Sequence, residues 1–334
     1  MAGDKTYFQN GNLTAAFQNQ GMAPGSLVGA SSPCVRVFVA GAVTHVGKTS
    51  VCLGLLAALR NSGLKASELG YIKPATQCEA PDLLSKWCAS EGIEHVAGEN
   101  APLVFYSGFT RSFLAGEQGT SAEWLQKIQQ KVAAMSEGRR VLIIDGVGFP
   151  SVGSIVGVDN ADVAKAAKAP VLLVCKSGVG SAVDSFSLNA SYFVAKGVPV
   201  LGALFNLGDA DGFYSWDKCA KSIEAWFSQQ DRRERFYGVV PKVQELDGLR
   251  EKISETEEDA LDVMAKLNAD HFGKHADILG IFTDAGADPW CRSPVRVPDG
   301  KASSLAPATS ASFKPLSRES VVSSAKEAGA KGGG

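Results

Sequence analysis

The run VRVFVAG at residues 35–41 is β-branched and ends in glycine, GKT follows at 47–49, and SVCLGLLAALRNSG continues from 50 to 63. In that last stretch Val51, Leu55, Leu56 and Leu59 keep helical spacing and Gly63 marks a C-terminal stop. Strand, glycine turn and helix in that order are the context that a phosphate-type glycine loop requires. The strict phosphate-loop spacing G-x-x-x-x-G-K-[ST] asks for glycine at 42, where the sequence has Ala42; Gly41 stands one residue earlier.

The alternation continues for two hundred residues. Strands are expected near 69–74, 141–145, 170–176 and 200–206, with a short run at 237–241. Helices are expected near 121–135, 160–168, 181–197 and 216–230. Fully apolar strands alternating with amphipathic helices predict an α/β fold, a doubly wound, mostly parallel sheet covered on both faces. Beyond residue 245 the pattern thins. A capping box from Ser254 to Glu257, with Leu261, Met264 and Leu267 behind it, predicts one more helix, and DILGIF at 277–282 reads as a last strand. The domain expectation is therefore a flexible leader over 1–34, a nucleotide-type domain over 35–245, a helical extension over 246–285 and a low-complexity tail over 286–334.

Composition narrows the function classes. A formal net charge of −2 over 334 residues gives no electrostatic case for nucleic acid or an anionic membrane, and no stretch reaches the length of a membrane span. The seven cysteines are scattered and never spaced C-x-x-C, which argues against a disulfide framework or a zinc site. The first 34 residues hold one lysine, no arginine and no apolar core, so the cytoplasm is the expected compartment. His271 and His275 have the spacing of a zinc pair but no third ligand, and read as exposed helix-end histidines. Trp216 and Trp226 read as core or dimer contacts.

At the carboxyl ends of such strands, backbone N–H groups and a positive helix end meet phosphate. Residues Gly41, Thr44, His45, Val46, Gly47, Lys48, Thr49 and Ser50 are the nucleotide-binding candidates. Lys48 suits the β- and γ-phosphates and Thr49 suits magnesium. Lys73 closes the second strand and reads either as a hand for transferring phosphate or a second anion, or as a surface lysine. Asp145 ends VLIID, where an acid reaches Mg²⁺ or caps a loop, and Asp82 is a second metal candidate. KSGVGS at 176–181 makes a second anion turn through Gly178 and Gly180, and Asn206 stands where an amide could read a base or a substrate amine.

The set GAVTHVGKT, YIKP, DGVG, APVLLVCKSGVGS, LFN and YGVVP, in that order, resembles dethiobiotin synthetase and the amidotransferase-related P-loop superfamily around it, over residues 35–245. Members share a phosphate loop one residue longer between its glycines, which accounts for Ala42. The resemblance implies a fold of the P-loop NTPase type and a homodimeric, ATP- and Mg²⁺-dependent enzyme that closes a cyclic urea from a vicinal diamine and CO₂. In that family one amine is carbamated, the carbamate takes the γ-phosphate, and the second amine closes the ring. Carried over, Lys48 and Lys73 are catalytic, Thr49, Asp82 and Asp145 surround magnesium, Lys73, Gly178 and Gly180 hold substrate, and Asn206 faces adenine. The family's E-G-[AT]-G-G run is DGVGF here, with Phe149 in place of its last glycine, and the Ser-Pro-His stretch has no counterpart near YSGFTRS. The alternative is a non-catalytic P-loop fold in a larger assembly, with residues 1–34 and 286–334 contacting protein partners.

Overall fold

The computed structural model describes residues 34–77, 82–229, 232–243 and 258–295. The expected leader up to residue 33, Cys78, the capping box at 254–257 and the tail beyond 295 lie outside these described residues.

The chain opens with β1 (Val35–Gly41), whose seven residues are all buried, and turns into α1 (Lys48–Asn61). There follow β2 (Leu69–Ile72), β3 (Ala75–Thr76), α2 (Leu83–Ser90), β4 (Glu94–Val96), β5 (Leu103–Val104), α3 (Phe109–Leu114) and α4 (Ser121–Ser136). Next come β6 (Val141–Asp145), α5 (Asn160–Ala167), β7 (Val171–Lys176), α6 (Gly180–Ala195), β8 (Val200–Gly208), α7 (Trp216–Gln229) and β9 (Arg235–Pro241). Three helices close the described chain: α8 (Glu258–His275), α9 (Ile278–Ala287) and α10 (Pro289–Arg292).

Seven strands form one parallel sheet in the order β4-β2-β6-β1-β7-β8-β9, and β3 and β5 pair separately. The doubly wound, mostly parallel expectation is met. After β1 the chain winds toward β2 and β4, and after β6 it crosses back over β1 to β7. The loops that follow β1 and β6 therefore open at the same carboxyl edge, where this class of sheet binds ligands.

Side-chain alternation sets which residues meet beneath α1. Val35, Val37 and Val39 of β1 pack toward α1, α8 and α9, with Leu55, Leu56, Phe272 and Phe282. Phe38, Ile144 and Leu173 turn to the other face, against Ile128 and Val132 of α4, Phe186 and Phe193 of α6, and Phe227 of α7. On the α1 face β2 presents Leu69 and Tyr71, and β6 presents Val141 and Ile143. Period-two alternation carries Lys73 and Asp145 onto that same face, and the pairing of Ile72 with Ile144 brings the two residues level.

Three expectations are corrected. DILGIF is helix α9 rather than a strand: Asp277 caps it by accepting from the Gly280 amide, and Ile278, Ile281, Phe282 and Ala285 make a helical apolar stripe. A short apolar run cannot distinguish buried strand from buried helix, and here the cap decides. Structure also continues past residue 286 through α10, where Cys291 is buried and donates from Sγ to the Arg36 carbonyl. The Arg36 guanidinium in turn donates to the carbonyls of Trp290, Cys291 and Ser293. Finally, His275 is buried, with its ring 4.5 Å from that of Trp216. Among the described residues no group of three His, Cys, Asp or Glu could hold a metal ion, and no helix is long and apolar enough to cross a membrane.

Asp159 ties α5 to α6 and gives the fold a pH signature. Its carboxylate caps α5 by accepting from the Ala161 and Asp162 amides, and it also takes the Tyr192 hydroxyl at 2.6 Å and the Lys196 ammonium. Burial works to raise its pKa, but the bonds from Lys196, Tyr192 and Asp162 outweigh it and hold the carboxyl below its ordinary value. A depressed folded value means stability present in full above the unfolded value of 3.8 and lost as pH falls through the lower folded value. Asp159→Asn is expected to cost about 1–2 kcal/mol at neutral pH, since the lysine is partly exposed. The gap in Tm between the two proteins should narrow below pH about 4; a gap that stays constant into acid would mean the ion pair does nothing.

Candidate nucleotide site

The turn between β1 and α1 curls through two left-handed residues, His45 at φ 59° and Gly47 at φ 78°. A non-glycine residue there carries strain of about 1–3 kcal/mol, which accumulates at functional turns. Gly47 caps α1 with no side-chain hydrogen bond, and the first turn holds no acid. The amides of that turn and the positive end of a fourteen-residue helix are thus left to an anion. A Cβ at position 47 would stand 2.5 Å from Asn206 Nδ2, so glycine is required there for space as well as for φ.

Two cavities flank this turn and share His45, Gly47 and Ser50. The larger, about 580 Å³, is walled by Thr44, Lys48, Thr49, Gln77, Asp82 and Gly148, among others. The smaller, about 100 Å³, is walled by Asn206, Leu207, Pro241, Lys242, Asn268 and His271, among others. Lys48 Nζ donates to the Gly148 carbonyl at 3.2 Å, a single neutral partner that a phosphate can replace. Asn206 Nδ2 donates to the Val46 carbonyl at 2.9 Å, so the amide holds the phosphate turn while its residue walls the smaller cavity.

Behind Asp82 lies a polar cluster in which Tyr71 and Asp145 are buried and Lys73 and Asp82 half-buried. Lys73 Nζ sits 3.2 Å from Asp82 Oδ2 and 3.8 Å from Asp145 Oδ2. The Tyr71 hydroxyl donates to Asp145 Oδ2 at 3.1 Å and lies 3.4 Å from Asp82 Oδ2. Burial lowers the Lys73 pKa, but the carboxylates of Asp145 and Asp82 outweigh it and hold the ammonium above its ordinary value. Burial pushes the Asp145 carboxyl up, against the pull of Lys73 and Lys48. The Cys52 thiol, one turn along α1 from Lys48, is raised by its burial.

The two expected metal acids differ in what they have left to offer. Asp82 caps α2: its Oδ1 takes the Ser85 amide and hydroxyl, and its Oδ2 takes Lys73. Asp145 Oδ1 is buried and has no hydrogen-bond partner among the described residues, which leaves its lone pairs to be satisfied by a ligand or water.

Placement of the remaining candidates is uneven. Thr44, His45, Val46, Gly47, Lys48, Thr49, Ser50 and Asp82 wall the larger cavity, whereas Lys73 and Asp145 do not and reach it through Asp82. Gly41 is packed under the turn, where a Cβ would meet the Val43 and Gly148 carbonyls. Gly178 and Gly180 wall neither cavity, and their turn is tied instead to the end of β8 by the Ser177 amide donating to the Asn206 carbonyl. Sequence reasoning missed Tyr71, Gly148 and the α8 residues Asn268 and His271. Period-two alternation back from Lys73 would have found Tyr71; no local signal points to the others.

A parallel sheet with an uncapped glycine turn, lysine and hydroxyl at the start of the first helix defines a P-loop nucleotide-binding protein. The chain belongs to the AAA_26 family, described as an AAA domain, whose model matches residues 35–250 and which comprises dethiobiotin synthetase-like P-loop NTPases. It is 28% identical over 174 residues to an ATP-dependent dethiobiotin synthetase of Anaeromyxobacter dehalogenans, covering 51% of this chain and 75% of that protein. It is 25% identical over 255 residues to the corresponding synthetase of Bacillus velezensis, covering 71% of this chain and 98% of that one. Among solved structures, a plasmid partition protein of Borrelia burgdorferi bound to AMPPNP superposes with a TM-score of 0.43 at 15% identity, covering 72% of this chain and 98% of that one.

Proposed function

We propose that the chain is an ATP- and magnesium-dependent carbon–nitrogen cyclo-ligase of the dethiobiotin synthetase type. The observation that carries this reading is the convergence of Lys73, Asp82 and Asp145 beside the phosphate turn. A nucleotide-binding turn alone serves switches, motors and partition proteins equally. A second lysine, half-buried and held between two carboxylates, suits transfer of phosphate to a second anionic substrate.

On this reading the turn from Thr44 to Ser50 holds the ATP phosphates, and the smaller cavity beyond Gly47 takes the base against Asn206 and Pro241. The Thr49 hydroxyl and Asp145 Oδ1 are the groups that suit Mg²⁺, a hard cation that prefers oxygen and would offset phosphate charge. Lys48 leaves the Gly148 carbonyl for the phosphates. Lys73 exchanges Asp82 for the carbamate formed from one substrate amine and CO₂, and steadies it against the γ-phosphate. Closure by the second amine then gives the cyclic urea, ADP and phosphate.

The test is a mass-spectrometric assay of the purified protein with Mg-ATP, bicarbonate and 7,8-diaminopelargonate. Dethiobiotin and ADP in equal amounts are the expected result. Absence of product while Mg-ATP still binds would overturn the cyclo-ligase reading and favour the non-catalytic one. Phe149, 41% exposed in the loop after β6 where the family carries glycine, is the feature that would then explain the loss.

A further inference from the structure

Tyr71 has no place in the reading above. Its ring is fully buried in the α1-side core, yet its hydroxyl reaches both acids of the site. A phenol has one proton to donate. The shorter contact, 3.1 Å, goes to Asp145 Oδ2, while Lys73 lies closer to Asp82, at 3.2 Å, than to Asp145, at 3.8 Å. All four contacts are formed, and the shorter ones join Tyr71 to Asp145 and Lys73 to Asp82.

We propose that the Tyr71 hydroxyl is a positioning group that fixes the Asp145 carboxylate and keeps it from closing onto Lys73. By satisfying Oδ2 it leaves Oδ1, buried and without a hydrogen-bond partner among the described residues, as the oxygen available to a divalent cation. By occupying Asp145 it leaves the Lys73 ammonium on Asp82, the acid that walls the phosphate cavity and from which the lysine can pass to substrate. Without the hydroxyl, Asp145 is a buried carboxylate short of a donor, and the ammonium 3.8 Å away is the nearest replacement. A tighter ion pair there, closer than the present 3.8 Å, would set Lys73 in competition with the cation. Groups that orient a ligand to a metal in this way are typically worth about 10–100-fold in metal affinity or activity.

The inference rests on the nucleotide-binding part of the function proposed above but not on the identity of the second substrate. The experiment is calorimetric titration of AMPPNP into wild-type and Tyr71→Phe protein, at a series of Mg²⁺ concentrations and with EDTA. Phenylalanine keeps the ring in the core. Binding in EDTA is expected to be equal for the two proteins, which reports an intact phosphate turn. The Mg²⁺ concentration for half-maximal enhancement is expected to rise about 10-fold in Tyr71→Phe. Removing the competing ammonium as well, in Tyr71→Phe/Lys73→Met, is expected to recover part of that loss. An unchanged Mg²⁺ dependence in Tyr71→Phe would overturn the proposal and reduce Tyr71 to core packing. No recovery in the double variant would overturn the competition with Lys73. Should the wild-type protein bind Mg-AMPPNP normally and yet make no cyclic urea, the cyclo-ligase reading falls while this one stands or falls on the titration alone.

Discussion

Lys73→Ala is expected to leave Mg-ATP bound and to lower product formation by about 10²–10³-fold, the loss usual when one preorganised charge is removed from a transferring group. Lys48→Ala should behave differently. Lys48 walls the phosphate cavity and has only a carbonyl to leave, so its loss is expected to weaken nucleotide binding itself. Product then falls through both affinity and rate. Measured with saturating diamine, the two variants should separate as a drop in kcat for Lys73→Ala and a rise in the KM for ATP with a lowered kcat for Lys48→Ala. A Lys73→Ala protein with wild-type turnover would place that lysine among structural ion pairs, held by Asp82 and Asp145 for the fold alone. The pair is informative because both lysines lie near the same acids, so a general electrostatic effect would move both alike.

Phe272→Ala is expected to destabilise the protein by about 3–5 kcal/mol, a large share of the 5–15 kcal/mol that holds a typical domain together. Phe272 comes from α8, beyond the residues the family model matches, and seals the α1 face of the sheet. Its partner is Gly54: a Cβ there would stand 2.5 Å from the Phe272 ring. Glycine in mid-helix costs about 1 kcal/mol against alanine, yet here it lets α1 and α8 approach. Gly54→Ala is therefore expected to cost about 1–3 kcal/mol in the wild-type background, by overpacking. In the Phe272→Ala background the same change should become neutral or stabilising, because the methyl enters the space the ring left. Urea unfolding of the four proteins of the cycle measures this coupling. Additive effects would mean the two helices adjust independently and that α8 is an appendage. Phe272 also walls the smaller cavity, so its loss is expected to weaken nucleotide binding beyond what stability alone explains.

Several parts of the candidate site could be read from residues in order. A β-branched run, a glycine turn and a helical stripe need only neighbours along the chain, and GKT acquires its meaning from that context. Lys73 and Asp145 announce themselves as charged residues closing apolar runs. The same reasoning failed where local pattern is degenerate. DILGIF is apolar enough for strand or helix, and the Asp277 cap with its place against β1 made it α9. His275 looks exposed at a helix end until Trp216 covers it. Outside these failures, Gly178 and Gly180 form a glycine turn entering a helix as expected, tied to β8 and apart from the two cavities.

By itself the sequence determined the class of sheet, parallel and covered on both faces, and the phosphate turn, because alternation and glycine placement are properties of consecutive residues. Parity also fixes that Tyr71 and Lys73 share a face. Only the tertiary structure decided the rest: that β6 lies beside β2 and brings Asp145 level with Lys73 and onto its face, that Asp82 caps α2 through Oδ1 and meets Lys73 through Oδ2, and that Asn268, His271 and Phe272 arrive from a helix some two hundred residues beyond the phosphate turn. Those outcomes depend on strand order and helix packing between distant segments, which no local pattern encodes.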